Sequence, residues 1–239
     1  DPKTRIDKLI AMPSRIGTVV PVSENEVLAA LEDGIYLVDL NSKKLELFSD
    51  IEATITENRF NDGKCDPSGN LWVGSMHLNQ EQGKAKLYKI DGLGNATAMI
   101  DQVTISNGIV WTSDKKTMYY IDTPTKQIKA YDFDMNTQTI SNERVAVEVP
   151  EELGFPDGMT IDENDHLWVG MWNGNAVLCF DPKTGEVVDK IEVPAHNVTS
   201  CAFGGENLDI LYITTASLDM TDQEKKAFPL AGSLFMVKP

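Results

Sequence analysis

The chain has 239 residues, 21 of them basic and 37 acidic, so its formal charge is −16 at pH 7. A surface this acidic repels phosphate backbones and anionic lipid headgroups, so neither nucleic acid nor a membrane is an expected partner. Hydrophobic residues make up 41% and charged residues 24%, a globular rather than disordered composition, and no apolar run reaches the roughly 18 residues of a membrane helix.

The amino terminus, Asp1-Pro2-Lys3-Thr4, carries no apolar signal-peptide core. With only three cysteines and no disulfide framework, a cytoplasmic location is expected. The same tetrapeptide recurs at Asp181-Pro182-Lys183-Thr184, after what reads as the third strand of a repeat. The chain is therefore expected to start late in a repeat. The first full unit has a turn and strand at 23–30 and a following strand at 35–38. The next pairs 66–74 with 86–90, then 113–121 with 128–131, 162–170 with 176–180, and 204–213 with 233–237. One short helix is predicted over 222–228, just before Pro229.

The strand-entry residues Leu71, Met118, Leu167 and Leu211 follow one another at intervals of 47, 49 and 44 residues. Four short strands in a period of about 40–50 residues is the pattern of a β-propeller blade. A β-sandwich does not require so regular a repeat, and the Gly-His and Trp-Asp signatures of the WD40 class are absent. The expected fold is all-β, a six-bladed β-propeller lacking most of its first blade and occupying 1–239 as one domain, with a closed five-bladed ring as the alternative. An open ring exposes sheet edges through which copies can self-associate. Cys65, Cys179 and Cys201 each fall in an apolar stretch and are expected to be buried as small hydrophobes. His77, His166 and His196 match no zinc spacing.

The innermost strand of each blade lines the central channel, so residues at its start form a ring at one mouth. Asn61, Asn107 and Asp157 precede the next strand entry by 10, 11 and 10 residues. They therefore share a blade position and are expected to converge. Their oxygens are hard ligands suited to Ca²⁺, Mg²⁺ or Mn²⁺, and acceptable to Zn²⁺. Each is also followed closely by glycine, and taken singly such a pair reads as a tight turn. Arg59 lies two residues before Asn61, and its guanidinium suits a carboxylate, hydroxyls or a developing oxyanion. Trp72, Trp168, Tyr119 and Trp111 read as packing residues, whereas Met171 and Trp172 sit where a pocket rim is expected. There is no Gly-rich phosphate loop and no Gly-x-Ser-x-Gly elbow.

Four ordered blocks carry a resemblance. They are Arg59-Phe60-Asn61-Asp62-Gly63-Lys64 with Trp72-Val73-Gly74-Ser75-Met76, Ser106-Asn107-Gly108 with Tyr119-Tyr120-Ile121-Asp122, Pro156-Asp157-Gly158-Met159 with Leu167-Trp168-Val169, and Val198 to Gly205. Together they resemble the gluconolactonase family, which includes senescence marker protein (regucalcin) and the luciferin-regenerating enzyme. The resemblance implies a six-bladed propeller that hydrolyses sugar lactones such as gluconolactone with one divalent cation. Ca²⁺ is the expected ion, with Zn²⁺, Mn²⁺ or Mg²⁺ as alternatives. By resemblance Asn107 and Asp157 are metal ligands, Asp157 is also the general base or water-orienting group, and Arg59 and Asn61 bind substrate. The family's third ligand, a Glu in a Gly-Glu-Gly-Pro block, has no counterpart in this sequence, so weak metal binding is expected. A non-catalytic calcium- or ligand-binding propeller, or an inactive shortened form, is the alternative function.

Overall fold

The structure, a computed structural model, describes residues 9–239; the tetrapeptide at 1–4 lies outside them. Blade 1 comprises β1 (Thr18–Pro21), β2 (Glu26–Leu31), β3 (Gly34–Asp39) and β4 (Leu45–Ser49). Blade 2 comprises β5 (Asn58–Cys65), β6 (Leu71–His77), β7 (Ala85–Ile90) and β8 (Ala96–Val103). Blade 3 follows with β9 (Ser106–Trp111), β10 (Thr117–Asp122), β11 (Gln127–Asp134) and β12 (Thr139–Glu148). Blade 4 holds β13 (Phe155–Ile161), β14 (Leu167–Trp172), β15 (Ala176–Phe180) and β16 (Val187–Glu192). Among the described residues blade 5 has three strands, β17 (Asn197–Gly204), β18 (Ile210–Ala216) and β19 (Leu234–Val237). Within each blade the strands pair in chain order as an antiparallel meander.

These are five blades of a β-propeller set in a ring, so the blade count is that of the five-bladed alternative. The inner strands β1, β5, β9, β13 and β17 pack against one another in that order, and no comparable packing joins β17 to β1 among the described residues.

Each of the four seams between blades has its own apolar core. Val20, Ala30 and Ile35 of blade 1 meet Phe60, Leu71 and Val73 of blade 2. Trp72 and Leu87 meet Ile109, Met118 and Tyr120 across the next seam. Ile121 and Ile128 meet Met159, Leu167 and Val169 across the third, and Trp168, Val177 and Cys179 meet Cys201, Leu211 and Ile213 across the fourth. Burying one such side chain is worth about 1.5–3 kcal/mol. A middle sheet is covered on both faces, so β6, β9 and β15 are buried at every position. This is why 71–73, 109–111 and 176–180 read as continuous apolar runs instead of alternating.

The hairpins explain part of the acidity. Asp66 Oδ1 accepts from the Ser68 and Asn70 N–H groups at 2.8 and 3.0 Å, and its Oδ2 accepts from Trp72 Nε1 at 2.9 Å. Blade 4 repeats the device: Asp162 Oδ1 accepts from the Asn164 and His166 N–H groups, both at 2.9 Å, and Oδ2 from Trp168 Nε1 at 3.1 Å. Carboxylates at these turns replace the backbone acceptors that a tight turn leaves out. Trp72, Trp168, Tyr119 and Trp111 are buried packing residues as expected.

The helix α1 (Asp222–Ala227) forms where the sequence places it, with Thr221 and Glu224 making a reciprocal capping box. Cys179 and Cys201 are buried, but Cys65 is exposed. It is the last residue of β5, between Lys64 and Asp66, so the chain around it is polar and does not enclose it. Among the described residues no helix is long and apolar enough to cross a membrane.

Candidate active site at the channel mouth

The glycine pairs at the channel mouth are not hairpin turns. Asn61, Asn107 and Asp157 lie within the inner strands β5, β9 and β13, and none has a positive φ. Each sits instead at a β-bulge. Register shifts between Phe60 and Gly63, between Tyr120 and Asp122 opposite β9, and between Pro156 and Met159 leave two residues of the inner strand facing one of its partner. Blade 5 has the corresponding shift between Val198 and Ser200. A bulge bends the strand and re-aims a side chain, and here four successive blades use it at one height in the channel.

The bulges also bring the inner strands very close together. A Cβ on Gly108 meets Asp157 O and Met159 N at 2.9 Å, and one on Gly158 meets Ser200 Oγ at 2.3 Å and Thr199 O at 2.9 Å. Glycine follows Asn107 and Asp157 because no larger residue fits between neighbouring blades, not because the backbone turns.

Two adjoining cavities, of about 450 Å³ and 320 Å³, open at this mouth, and Arg59, Asn61, Asn107, Asp157 and Trp172 line both. All four sequence-predicted site residues are thus brought together, and Trp172 takes its rim position. Met171 is fully buried in the core and does not reach the cavity.

The two amides are held in one orientation by the groups around them. Asn61 Nδ2 donates to Ser106 O at 2.7 Å and to Asn107 Oδ1 at 3.2 Å. Asn107 Nδ2 donates to Thr123 Oγ1 at 2.8 Å, and Thr123 Oγ1 passes its own hydrogen to Pro156 O at 2.8 Å. A carbonyl cannot donate, so the Asn61 atom facing Ser106 must be the NH₂. The Thr123 hydroxyl has spent its hydrogen, so it can only accept from Asn107. Both amides are fixed, and the buried Asn107 turns its carbonyl oxygen towards Asn61 and the channel.

Asp157 faces the cavity but is crowded by protein on its other sides. Burial, and next the neighbouring Asp62 carboxylate, push its pKa well above the usual carboxylate range, while the Gly158 N–H, Arg59 and the Asn107 amide pull the other way. Asp62 is itself raised by burial, against the pull of Lys64 and a 2.7 Å hydrogen bond from the Gly63 N–H. Lys64 is lowered by burial, and its Nζ donates to Met159 O at 3.2 Å. Arg59 is lowered by burial and then by Arg15, with Glu32 and Asp157 opposing. Its Nη1 donates to Phe60 O at 2.9 Å, which ties the guanidinium to the inner strand.

Sequence reasoning missed Asp62, Thr123 and the blade-5 wall of Thr199, Ser200 and Thr214 that lines the smaller cavity. Asp62 shares a bulge with Asn61, a pairing invisible without the register. Thr123 follows Asp122 at the end of β10, and only the fold carries it to Asn107.

A separate trio of Asp162, His166 and Cys179 has ligand-type atoms within 4.8 Å of one another. It lies on the blade-4 hairpin away from the mouth. Asp162 Oδ2 there takes Trp168 Nε1 and lies 3.5 Å from His166 Nδ1. In blade 2 the same place is filled by Asn70, whose Nδ2 donates to Asp66 Oδ2 at 2.8 Å. His166 thus stands where blade 2 uses a purely structural donor.

A propeller with this oxygen-rich mouth defines a class, and comparison with known proteins gives the family. Residues 1–217 match the family described as SMP-30/Gluconolactonase/LRE-like region, and the chain belongs to that family. It is similar to a Bacillus subtilis (strain 168) protein named "Putative sugar lactone lactonase YvrE", with 40% identity over 98% of this chain and 80% of the relative. Among solved structures it is similar to a luciferin-regenerating enzyme, with TM-score 0.89 and 32% identity over 95% of this chain and 79% of that one. It is likewise similar to an Agrobacterium tumefaciens regucalcin described as a calcium-binding protein, with TM-score 0.91 and 29% identity over 95% of this chain and 77% of that one.

Proposed function

We propose that this chain hydrolyses lactones at the channel mouth with the help of one divalent cation. The observation that carries the reading is the convergence of a desolvated carboxylate, a fixed amide carbonyl and a guanidinium on one cavity. Membership of a family that holds gluconolactonases supports it.

The donor set fits a hard cation. Asn107 Oδ1 and the Asp157 carboxylate are the holding atoms, and the second acid, Asp62, adds negative charge beside them. A bound cation supplies Lewis-acid polarisation of the lactone carbonyl. Ca²⁺ matches the all-oxygen set best, with Mn²⁺, Mg²⁺ and Zn²⁺ as the other candidates.

The chain's own residues do the remainder. Asp157 takes a proton from the attacking water as its oxygen bonds to the carbonyl carbon. A raised proton affinity suits that task near neutral pH. As the ring C–O bond breaks, the proton on Asp157 passes to the departing ring oxygen, leaving the hydroxy acid. Arg59 stays cationic and donates to substrate oxygens where negative charge develops. Both Nδ2 hydrogens of Asn61 are committed to Ser106 O and Asn107 Oδ1, so it offers substrate an acceptor oxygen only and orients a hydroxyl or the water.

A cation-binding propeller without turnover shares Asn107 and Asp157 but leaves the Arg59 position without a task. A pH-stat assay on gluconolactone separates the two readings. Turnover that EDTA removes and Ca²⁺, Mn²⁺ or Zn²⁺ restores supports the lactonase; bound cation with no acid release on any lactone refutes it.

A further inference from the structure

The larger cavity has two chemically distinct ends. Its inner end carries Arg59, Asn61, Asn107 and Asp157. Its remaining lining is mainly apolar, built from Met76, Ile105, Pro124, Phe155, Trp172 and Leu218, with Gln80, Asn173 and Asp219 as polar members. These come from blades 2, 3, 4 and 5, so the apolar wall is assembled by the fold and does not belong to one loop. Phe155 and Trp172 are cross-strand partners in blade 4, and Lys126 Nζ lies 4.5 Å from the Phe155 ring centroid. Leu218 is 65% exposed at the rim, an apolar side chain with no core to fill.

A hydroxylated aldonolactone makes poor use of the six apolar side chains, although Gln80, Asn173 and Asp219 could take a hydroxyl. A single aromatic face can stack on a sugar ring, but Met76, Ile105, Pro124 and Leu218 are aliphatic and offer hydroxyls nothing to bond. Hydroxyls pressed against them lose water without compensation. The volume of about 450 Å³ lies in the range of roughly 300–1,000 Å³ typical of drug-sized ligands, more room than a bare lactone ring needs. A lining surface that is mainly apolar, with convergent polar groups at one end, is the pattern of a pocket that orients one functional group and buries an apolar remainder.

We propose that the substrate is a lactone bearing an apolar alkyl or aryl arm, with its ring at the Asp157 end and the arm against Ile105, Phe155, Trp172 and Leu218. This inference rests on the lactone-hydrolase reading and names its substrate class. Trp172, which lines both cavities, is the hinge between the reacting ring and the arm. The arm's contribution is uniform binding of ground and transition states and is read mainly in KM.

The test uses δ-valerolactone, δ-decalactone and gluconolactone as substrates, and the lactams of the first two as non-hydrolysed ligands followed by calorimetry. Burial of even two methylenes predicts kcat/KM for δ-decalactone about tenfold or more above δ-valerolactone, with the same order in lactam Kd. Trp172→Ala and Leu218→Asn are expected to shrink that alkyl-to-bare ratio about fivefold or more. Equal constants across the alkyl series, or a preference for gluconolactone, overturn the proposal. Tight alkyl-lactam binding that Leu218→Asn weakens, without hydrolysis of any lactone, removes the hydrolase reading and leaves the apolar-ligand site standing.

Discussion

Replacing Thr123 with Val tests whether the Asn107 carbonyl is aimed by its surroundings. The side chains are nearly the same shape, so the change removes a hydroxyl and little volume. That hydroxyl accepts from Asn107 Nδ2 and donates to Pro156 O, both at 2.8 Å, and both partners are buried. Stranding a buried polar group costs about 1–3 kcal/mol. With two groups stranded and the adjoining cavity able to supply water to one, the expected loss is about 2 kcal/mol. For a chain of this size that is a fall in Tm of about 4–8 °C. The amide also loses its one fixed rotamer, so lactone kcat/KM is expected to fall about tenfold or more. Thr123→Ser keeps the hydroxyl and should retain most of both. Calorimetry and the pH-stat assay read the two effects. Wild-type Tm and wild-type turnover in Thr123→Val would refute the aiming argument.

Further expectations follow from the same geometry. With two protein oxygen donors identified, calorimetric Ca²⁺ titration should give a Kd of about 10⁻⁴–10⁻³ M; submicromolar binding contradicts the donor set. In EDTA, Asp157→Asn should stabilise the protein at pH 7. A carboxyl whose folded pKa is raised favours the folded state below the ordinary carboxylate range and loses that advantage as pH rises through the raised value. A tenfold difference in proton affinity between the folded and unfolded chain corresponds to about 1.4 kcal/mol, so the gain should vanish near pH 4, and a pH-independent difference counts against it. Asp66→Ala strands the Asn70 and Trp72 side-chain donors together with two backbone N–H groups, and should cost roughly 3 kcal/mol or more in chemical denaturation; a loss under about 1 kcal/mol would show the turn to be held by other bonds.

The blade repeat was legible because four strand entries keep a near-constant period, and because the Asp-to-Trp spacing of 66–72 recurs at 162–168. The convergence of Asn61, Asn107 and Asp157 was legible for the same reason: a shared phase within the repeat becomes a shared height in the channel. What the sequence hid was why glycine follows two of them. Asn-Gly reads locally as a turn, and only inter-blade packing shows that Gly108 and Gly158 answer a close approach of strands. Asp62 and Thr123 were hidden too, because their roles depend on a bulge and on the end of a neighbouring strand. Cys65 was expected to be buried, but it ends its strand between Lys64 and Asp66 and is exposed.

The central claim is that Asp157 moves the proton in lactone hydrolysis at this mouth. The most direct measurement compares wild type with Asp157→Asn at saturating Ca²⁺, following acid release from gluconolactone and δ-decalactone. Cation-dependent turnover is expected in the wild type and a loss of about 10²–10⁴-fold in the variant, the usual worth of general acid–base catalysis, with the variant folded and its Tm in EDTA not lowered. Undiminished turnover in Asp157→Asn would contradict it.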